Sequence, residues 1–235
     1  MPRRIWCLVV VAALVTACAR AEVDPTRLSW VPSERGIELG RDFGGGEPTK
    51  IRYSDDWQDE IYVLWQEDGA QMEFIYVAAN PNRTVALQYD LTSARQVPTW
   101  AHNASANVAW GEAGRFGNRW RNVFYQRYRL GERSCFGFSS AWDRRSEDPR
   151  VRPNKVLFGY YCAADGSALD QATIERLVWG IRLVSDRPAA ERDPLQGSAA
   201  LAFARGGDAE GFFGNRGYPF RLARYYRISN GGPRR

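Results

Sequence analysis

Hydrophobic residues fall first into one continuous run, over residues 5–17, and then into a series of shorter segments along the chain. In these segments β-branched and aromatic residues alternate with polar ones or follow one another directly. Alternation is typical of half-buried strands, and short continuous runs are typical of fully buried ones. The pattern predicts strands over seven segments: residues 61–66, 71–79, 84–90, 119–130, 134–142, 155–162 and 181–184.

Local signals support one hairpin and one helix. Asp68-Gly69 separates the first two predicted strands, and this pair favours a two-residue turn because both central positions need positive φ. Ser167 followed three residues later by Asp170 has the spacing of a capping box, and Gly180 is a candidate helix stop. Four apolar residues in this segment and directly after it fall on one helical face: Ile174, Leu177, Val178 and Ile181.

Strands followed by one helix predict an α+β fold, a single antiparallel-sheet domain with one C-terminal packed helix, over residues 51–187. Residues 1–17 are predicted to be a signal peptide. Residues 18–50, rich in Gly, Pro and charge, are predicted to be a linker. Residues 91–118 are predicted to be a long loop, and residues 188–235 a Gly- and Arg-rich C-terminal extension.

The first segment has the organisation of an export signal. Arg3 and Arg4 precede the apolar run of residues 5–17. As a helix this run spans about 20 Å, short of the hydrocarbon core of about 30 Å. Residues 14–18 (LVTAC) resemble the lipobox of bacterial lipoproteins. The resemblance implies that Cys18 is diacylated, becomes the first residue after cleavage, and anchors the protein to membrane lipid.

Two other outcomes of export stay open. Residues 19–21 (ARA) fit the small-x-small rule for ordinary signal cleavage, which would release a soluble periplasmic protein beginning at Glu22. An uncleaved anchor is the third outcome. Because Ala19 is not aspartate, the sorting pattern of enterobacterial lipoproteins indicates the outer membrane, facing the periplasm. The choice between inner and outer membrane stays open.

Export determines how the cysteines are interpreted. Cys7 lies in the leader and is lost on cleavage, so only Cys135 and Cys162 remain beside the acylated residue. In an oxidising compartment two such cysteines usually pair, and a structural disulfide is predicted. The alternative, a reactive thiol, lacks a Cys-x-x-Cys spacing. His102 is the only histidine, which excludes a multi-histidine metal site, and no cofactor is predicted.

Charge is segregated along the chain. Residues 19–114 carry a net charge of −7 and residues 115–155 a net charge of +7. Four arginines in the basic stretch form a candidate face for an anionic ligand or a partner: Arg119, Arg121, Arg127 and Arg129. The alternative is a solvated face whose charges pair within the fold. Because an exported protein is separated from the nucleic acid of the cell, no nucleic-acid partner is predicted.

Residues 159–162 (GYYC) and the helix after them are similar to the C-terminal part of small exported alphaproteobacterial proteins of unknown function. The resemblance implies a disulfide followed by a packed helix. It carries no activity with it.

The first of three functional hypotheses is a lipid-anchored envelope protein without catalytic activity. It would bind an envelope protein partner or serve as an accessory or structural subunit, since Tyr, Trp, Phe and Arg are enriched at interfaces. The second is a cell-wall glycan binder that uses exposed indoles from a set of five tryptophans: Trp57, Trp65, Trp100, Trp110 and Trp120.

The third hypothesis is a glycan hydrolase acting through a carboxylate pair. Its candidates cluster beside Trp57: Asp55, Asp56, Asp59 and Glu60. Acidic residues in this arrangement are also typical of a solvated loop. Serine–histidine catalysis is disfavoured because His102 stands alone and no Gly-x-Ser-x-Gly surrounds a serine.

Overall fold

A computed structural model gives the fold of seven segments of the chain: residues 27–31, 36–80, 83–87, 107–143, 153–164, 167–183 and 226–230. The predicted signal peptide, the lipobox-like residues 14–18, Trp100 and His102 lie outside these segments. The strands are β1 (Leu28–Trp30), β2 (Ile37–Leu39), β3 (Thr49–Ser54), β4 (Gln58–Glu67), β5 (Ala70–Ala79), β6 (Arg83–Leu87), β7 (Val108–Asn118), β8 (Arg121–Leu130), β9 (Arg133–Trp142), β10 (Lys155–Cys162), β11 (Ile181–Leu183) and β12 (Tyr226–Asn230). The helix α1 is Gln171–Gly180, and a short 3₁₀ helix covers Arg41–Phe43.

Eight strands form the main sheet, in the order β1-β3-β4-β5-β10-β9-β8-β7. Every neighbouring pair is antiparallel. β11 pairs with β2, and β12 pairs with β6, in two small sheets. The predicted α+β class, an antiparallel sheet with one helix and a Cys135–Cys162 disulfide, is confirmed for the described segments.

Both faces of the main sheet are covered, which explains the nearly continuous apolar runs in β4, β5 and β10. Successive side chains point to opposite faces. On one face, here called the helix-covered face, Val63, Phe74 and Phe138 join Ile174 and Val178 of α1 in a single buried cluster. The opposite face, here called the tyrosine face, carries four buried tyrosines in a second cluster: Tyr53, Tyr62, Tyr128 and Tyr160.

The hairpin prediction is confirmed. β4 and β5 are joined by Asp68 and Gly69, which have φ values of 47° and 80°. Glycine adopts this left-handed region without strain, and aspartate tolerates it better than most residues.

The helix is present, but its start differs from the predicted capping box. Asp170, and not Ser167, is the N-cap residue, and its side chain accepts a hydrogen bond from the Thr173 backbone N–H at 2.8 Å. The hydrogen bond from that N–H holds the pKa of the Asp170 carboxyl below its usual value. A short acidic side chain serves as well as serine at an N-cap, so the two candidates compete.

The predicted loop over residues 91–118 is corrected in its last part, because residues 108–118 form β7 at one edge of the main sheet. Most of its side chains are exposed, so it lacks the alternation of polar and apolar residues from which strands are predicted. A register shift between Trp110 and Ala113 breaks the pairing with β8 further.

The predicted linker over residues 18–50 is also corrected where the structure describes it. Leu28 and Ile37 are buried in strands, and Phe43 is buried in the 3₁₀ helix. These apolar side chains are few and are separated by Gly and charged residues. The composition of the segment is therefore typical of a linker, although it contains buried residues. In the predicted extension over 188–235, residues 226–230 return to pair with β6.

Candidate functional site

An open groove of about 940 Å³ lies where the end of α1 meets the 3₁₀ helix and the turn between β7 and β8. We call it the arginine–tryptophan groove, and its lining includes Arg41, Asp42, Arg119, Arg176, Trp179 and Arg182. Its volume is within the range of small-molecule sites.

Close backbone contact fixes the floor of the groove. The Gly40 N–H donates to the Gly180 carbonyl at 2.8 Å, joining the strand-like segment before the 3₁₀ helix to the end of α1. A Cβ atom on Gly180 would lie 2.9 Å from the Phe43 ring, so only glycine permits this approach. Phe43 is itself buried against Trp65, with ring centroids 5.3 Å apart. The groove is therefore built on packed core residues.

Arg119 stabilises the end of α1. Its Nη2 donates to the Trp179 carbonyl at 2.6 Å, a group that no N–H of the helix can reach. Its guanidinium also lies 5.4 Å from the centroid of the Trp179 ring and 5.8 Å from that of Trp120. A cation at a helix C-terminus interacts favourably with the negative end of the helix dipole. Arg119 thus positions the Trp179 side chain.

The lining carries more positive than negative charge. Arg176 pairs with Asp42 at 3.1 Å, and both side chains are partly exposed. Glu175 accepts a hydrogen bond from Gln171 Nε2 at 2.7 Å. With Arg41, Arg119 and Arg182 added, four arginines face two carboxylates. Such a groove attracts anions and also offers carboxylate acceptors.

Three of the four predicted arginines have described side chains, and these lie in different surroundings. Arg119 lines the groove, whereas Arg129 is at the opposite end of β8, about 30 Å away for a strand of this length. Arg129 is exposed and donates to the Glu132 carbonyl at 3.4 Å. Arg127 is half-buried, pairs with Glu112 at 3.6 Å and lies 6.0 Å from the Tyr125 ring centroid. The side chain of Arg121 lies outside the described part of the structure.

The candidate tryptophans separate into buried and exposed ones. Trp65 and Trp120 are buried, and Trp120 stacks on Trp142 with centroids 5.2 Å apart. Trp57 is exposed but has the Arg83 guanidinium 3.9 Å from its ring centroid. Trp110 is exposed and packs on Tyr128.

Sequence reasoning missed Trp179. It is 42% exposed and lies off the apolar face of α1. A tryptophan outside the apolar stripe of a predicted helix is the signal that identifies it.

The candidate carboxylates have separate structural contacts. Asp55 accepts hydrogen bonds from the backbone N–H groups of Trp57 and Gln58, at 2.8 and 3.0 Å, and so fixes a turn. Asp59 forms a two-pronged ion pair with Arg52, at 2.5 and 2.8 Å. Glu60 is fully buried and accepts from the Gln58 side chain. Asp56 is exposed.

A buried polar network lies on the tyrosine face. Glu73 accepts hydrogen bonds from the Tyr62 and Tyr160 hydroxyls, each at 2.7 Å, one on each carboxylate oxygen. Gln71 Nε2 donates to the Tyr160 hydroxyl at 2.5 Å. Tyr128 lies beside the disulfide, with its hydroxyl 3.9 Å from Cys162 Sγ. Because each carboxylate oxygen has a phenol donor, the network satisfies a buried charged residue.

Burial raises the pKa of Tyr160 above its ordinary value, and the adjacent Glu73 carboxylate raises it further. Burial likewise raises the pKa of Tyr128; Arg133 opposes this shift and Glu73 adds to it. Both hydroxyls stay protonated in the folded protein beyond the pH at which they ionise in the unfolded chain, about 10.

The protein is therefore expected to lose stability as the pH rises above about 10. Because the pKa values of Tyr128 and Tyr160 are raised in the folded protein, their full contribution to stability is present below their pKa in the unfolded chain. That contribution falls as the pH increases above this pKa. Each of the two tyrosines lowers the free energy of unfolding by about 1.4 kcal/mol per pH unit above this point. Denaturant unfolding at a series of pH values measures the slope. Tyr160→Phe and Tyr128→Phe should each reduce the slope by about 1.4 kcal/mol per pH unit. An unchanged slope in both variants would contradict the raised pKa values of the two tyrosines.

Within the described segments, no three His, Cys, Asp or Glu residues are grouped so as to hold a metal ion. The same segments contain no helix with the length and hydrophobicity needed to cross a membrane. Comparison with protein-family models, with curated proteins and with solved structures finds no significant match to this chain.

Proposed function

We propose that the protein is a lipid-anchored component of the bacterial cell envelope that acts by binding, with its arginine–tryptophan groove as the contact surface. The observation that carries the binding role is an exposed tryptophan among four arginines, in a groove that lies over packed core residues. Arginine and tryptophan, together with tyrosine, are enriched among the interface residues that contribute most binding energy.

The anchor is supported by the leader sequence. Residues 14–18 place small residues directly before Cys18, after a basic and then an apolar segment. The disulfide agrees with this location, because disulfides persist in oxidising compartments such as the periplasm. The sorting pattern at Ala19 favours the outer membrane.

Binding is favoured over hydrolysis by the contacts of the acidic cluster. Asp55 accepts a backbone hydrogen bond that stabilises a turn, and Asp59 forms an ion pair with Arg52. A glycosidase needs two carboxyl groups facing one scissile bond across a cleft. The groove instead gathers cations around an indole, an arrangement suited to holding a ligand.

Cys18→Ser is expected to abolish acylation and release the protein from the membrane fraction, because the serine hydroxyl cannot form the thioether to lipid. The measurement is palmitate labelling together with fractionation of salt-washed membranes. Cys7→Ser is the matched control, since it changes the other leader cysteine and should leave labelling unchanged. Retention of Cys18→Ser in the washed membranes would contradict the anchor. A mature mass beginning at Glu22 would instead show ordinary signal cleavage.

The binding role is tested by mild-detergent capture of the acylated protein from its native envelope. We expect an envelope component to be retained, and to be lost with the Arg41→Gln/Arg182→Gln variant. A protein recovered in a fixed ratio would make this chain an accessory subunit. Capture that is unaffected by the groove variant would contradict the groove as the contact surface.

A further inference from the structure

We propose that the arginine–tryptophan groove binds an acidic saccharide, a pyranose ring that carries a carboxylate or a phosphate. The ring would stack on the Trp179 indole, and the acidic group would pair with Arg41 and Arg182. This inference deepens the proposed function and rests on it.

Trp179 supplies the stacking surface. Its indole is 42% exposed although it sits beside a packed core, and its backbone carbonyl and its ring both contact Arg119. The side chain is thus held in place while part of its surface stays open to solvent. The C–H groups on one face of a pyranose form an apolar surface that packs on the electron-rich face of an indole. An ordered indole loses little conformational entropy when such a ring binds.

The charges of the lining favour an acidic group. Asp42 is paired with Arg176, and Glu175 accepts from Gln171, so the two carboxylates have contacts within the protein. Arg41 and Arg182 are exposed, on the 3₁₀ helix and on β11. A guanidinium binds carboxylate or phosphate through two parallel N–H donors.

The same lining favours a saccharide over a simple polyanion. Asp42 and Glu175 would repel a dense negative charge, but their oxygens accept hydrogen bonds from sugar hydroxyls. The lining has a formal surplus of two positive charges, which favours a ligand with one or two negative charges over a densely charged one. Neither of the other exposed tryptophans whose contacts are described combines these features. The Arg83 guanidinium lies 3.9 Å from the Trp57 ring centroid, closer than Arg119 lies to Trp179, and Trp110 packs on Tyr128.

Two sources share this chemistry, and separate probes distinguish them. A disaccharide of N-acetylglucosamine and N-acetylmuramic acid represents a carboxylated cell-wall sugar. A bisphosphorylated glucosamine disaccharide represents the phosphorylated sugar of a lipid headgroup. Chitobiose is the neutral control. Each is titrated into the full acylated protein in detergent, and the heat of binding is measured.

We expect at least one acidic disaccharide to bind and chitobiose to bind at least about tenfold more weakly. Trp179→Ala, and the Arg41→Gln/Arg182→Gln variant, should each raise the Kd about tenfold or more. Trp57→Ala is the matched control, because Trp57 is equally exposed and also lies near an arginine, and it should leave the Kd unchanged. All four altered side chains are exposed, so the unfolding midpoints should stay close to that of the unaltered protein.

Absence of binding by both acidic disaccharides at millimolar concentration would overturn the inference. So would equal weakening by Trp57→Ala and Trp179→Ala. A protein captured from the envelope through the groove would also overturn it, while leaving the proposed binding function intact. Release of the unaltered protein from membranes would contradict the anchor but not the saccharide site, since the titration needs no membrane.

Discussion

Replacing Gly159 by alanine is expected to lower the free energy of unfolding by about 3 kcal/mol, at the upper end of the usual cost of overpacking. Gly159 lies in β10, in the middle of the main sheet, between β5 and β9. A Cβ atom there would lie 2.3 Å from the Glu73 carbonyl oxygen and 2.5 Å from Phe74 Cα. Both are backbone atoms, so relief requires movement of a strand that is hydrogen-bonded along its length.

The glycine has a packing role. Its partners in register are Phe74 on β5 and Phe138 on β9. These two rings lie on the helix-covered face with centroids 6.4 Å apart, and both side chains are fully buried. They approach each other across the intervening strand because Gly159 has no side chain. A larger residue would separate them and open the core beneath α1.

Gly137→Ala is the matched control. Gly137 is in β9, directly beside β10, but its nearest neighbour to an added Cβ is the Gly159 carbonyl oxygen at 3.8 Å, an ordinary contact. We expect a change of less than about 1 kcal/mol, because alanine fits and also restricts the unfolded chain. Denaturant midpoints and m-values for both variants provide the measurement. Equal loss of stability in the two would contradict the crowding at Gly159.

The strands of the sheet centre could be predicted because their signals are local. The Asp68-Gly69 turn fixes the register between β4 and β5, so two apolar runs on either side of it define a hairpin. β8, β9 and β10 combine β-branched and aromatic residues with short polar breaks. Because such strands are buried on both faces, they are hydrophobic along most of their length. They can therefore be recognised without knowing which elements pack over them.

The edges of the fold could not be predicted in this way. Most side chains of β7 are exposed and its register is interrupted, so its residues show no alternation of apolar and polar positions. β1 and β2 have three residues each and are stable only through their partners, β3 and β11. Short edge strands of this kind depend on tertiary contacts that a sequence window does not contain.

The candidate site was only partly visible in the sequence for the same reason. Arg119 was identified by the local density of basic residues. Arg41 lies far before Trp179 and Arg182 in the sequence, and the Gly40–Gly180 contact brings its segment against theirs. Charge counted along the chain therefore pointed to β8, whereas the cations that share a groove are distributed over the 3₁₀ helix, α1 and β11.

Removing the disulfide is the other change with a large expected effect. Cys135 and Cys162 face each other directly on β9 and β10, with Cα atoms 4.1 Å apart, and both are buried. The bond closes a loop between residues 27 positions apart, for which the chain-entropy relation gives about 3.5 kcal/mol. Cys135→Ala/Cys162→Ala should lower the free energy of unfolding by about this amount.

Reduction of the unaltered protein is the matched control for the double variant. If the bond acts by restricting the unfolded chain, dithiothreitol should lower the denaturant midpoint of the unaltered protein to near that of the double variant and leave the variant itself unchanged. Thiol titration of the mature, unreduced protein after unfolding should find neither Cys135 nor Cys162 reactive. One reactive thiol from each residue would contradict the bond, and with it the support that the disulfide lends to an oxidising compartment. A stable double variant with no free thiols in the unaltered protein would instead show that the pairing of β9 with β10 holds the loop closed by itself.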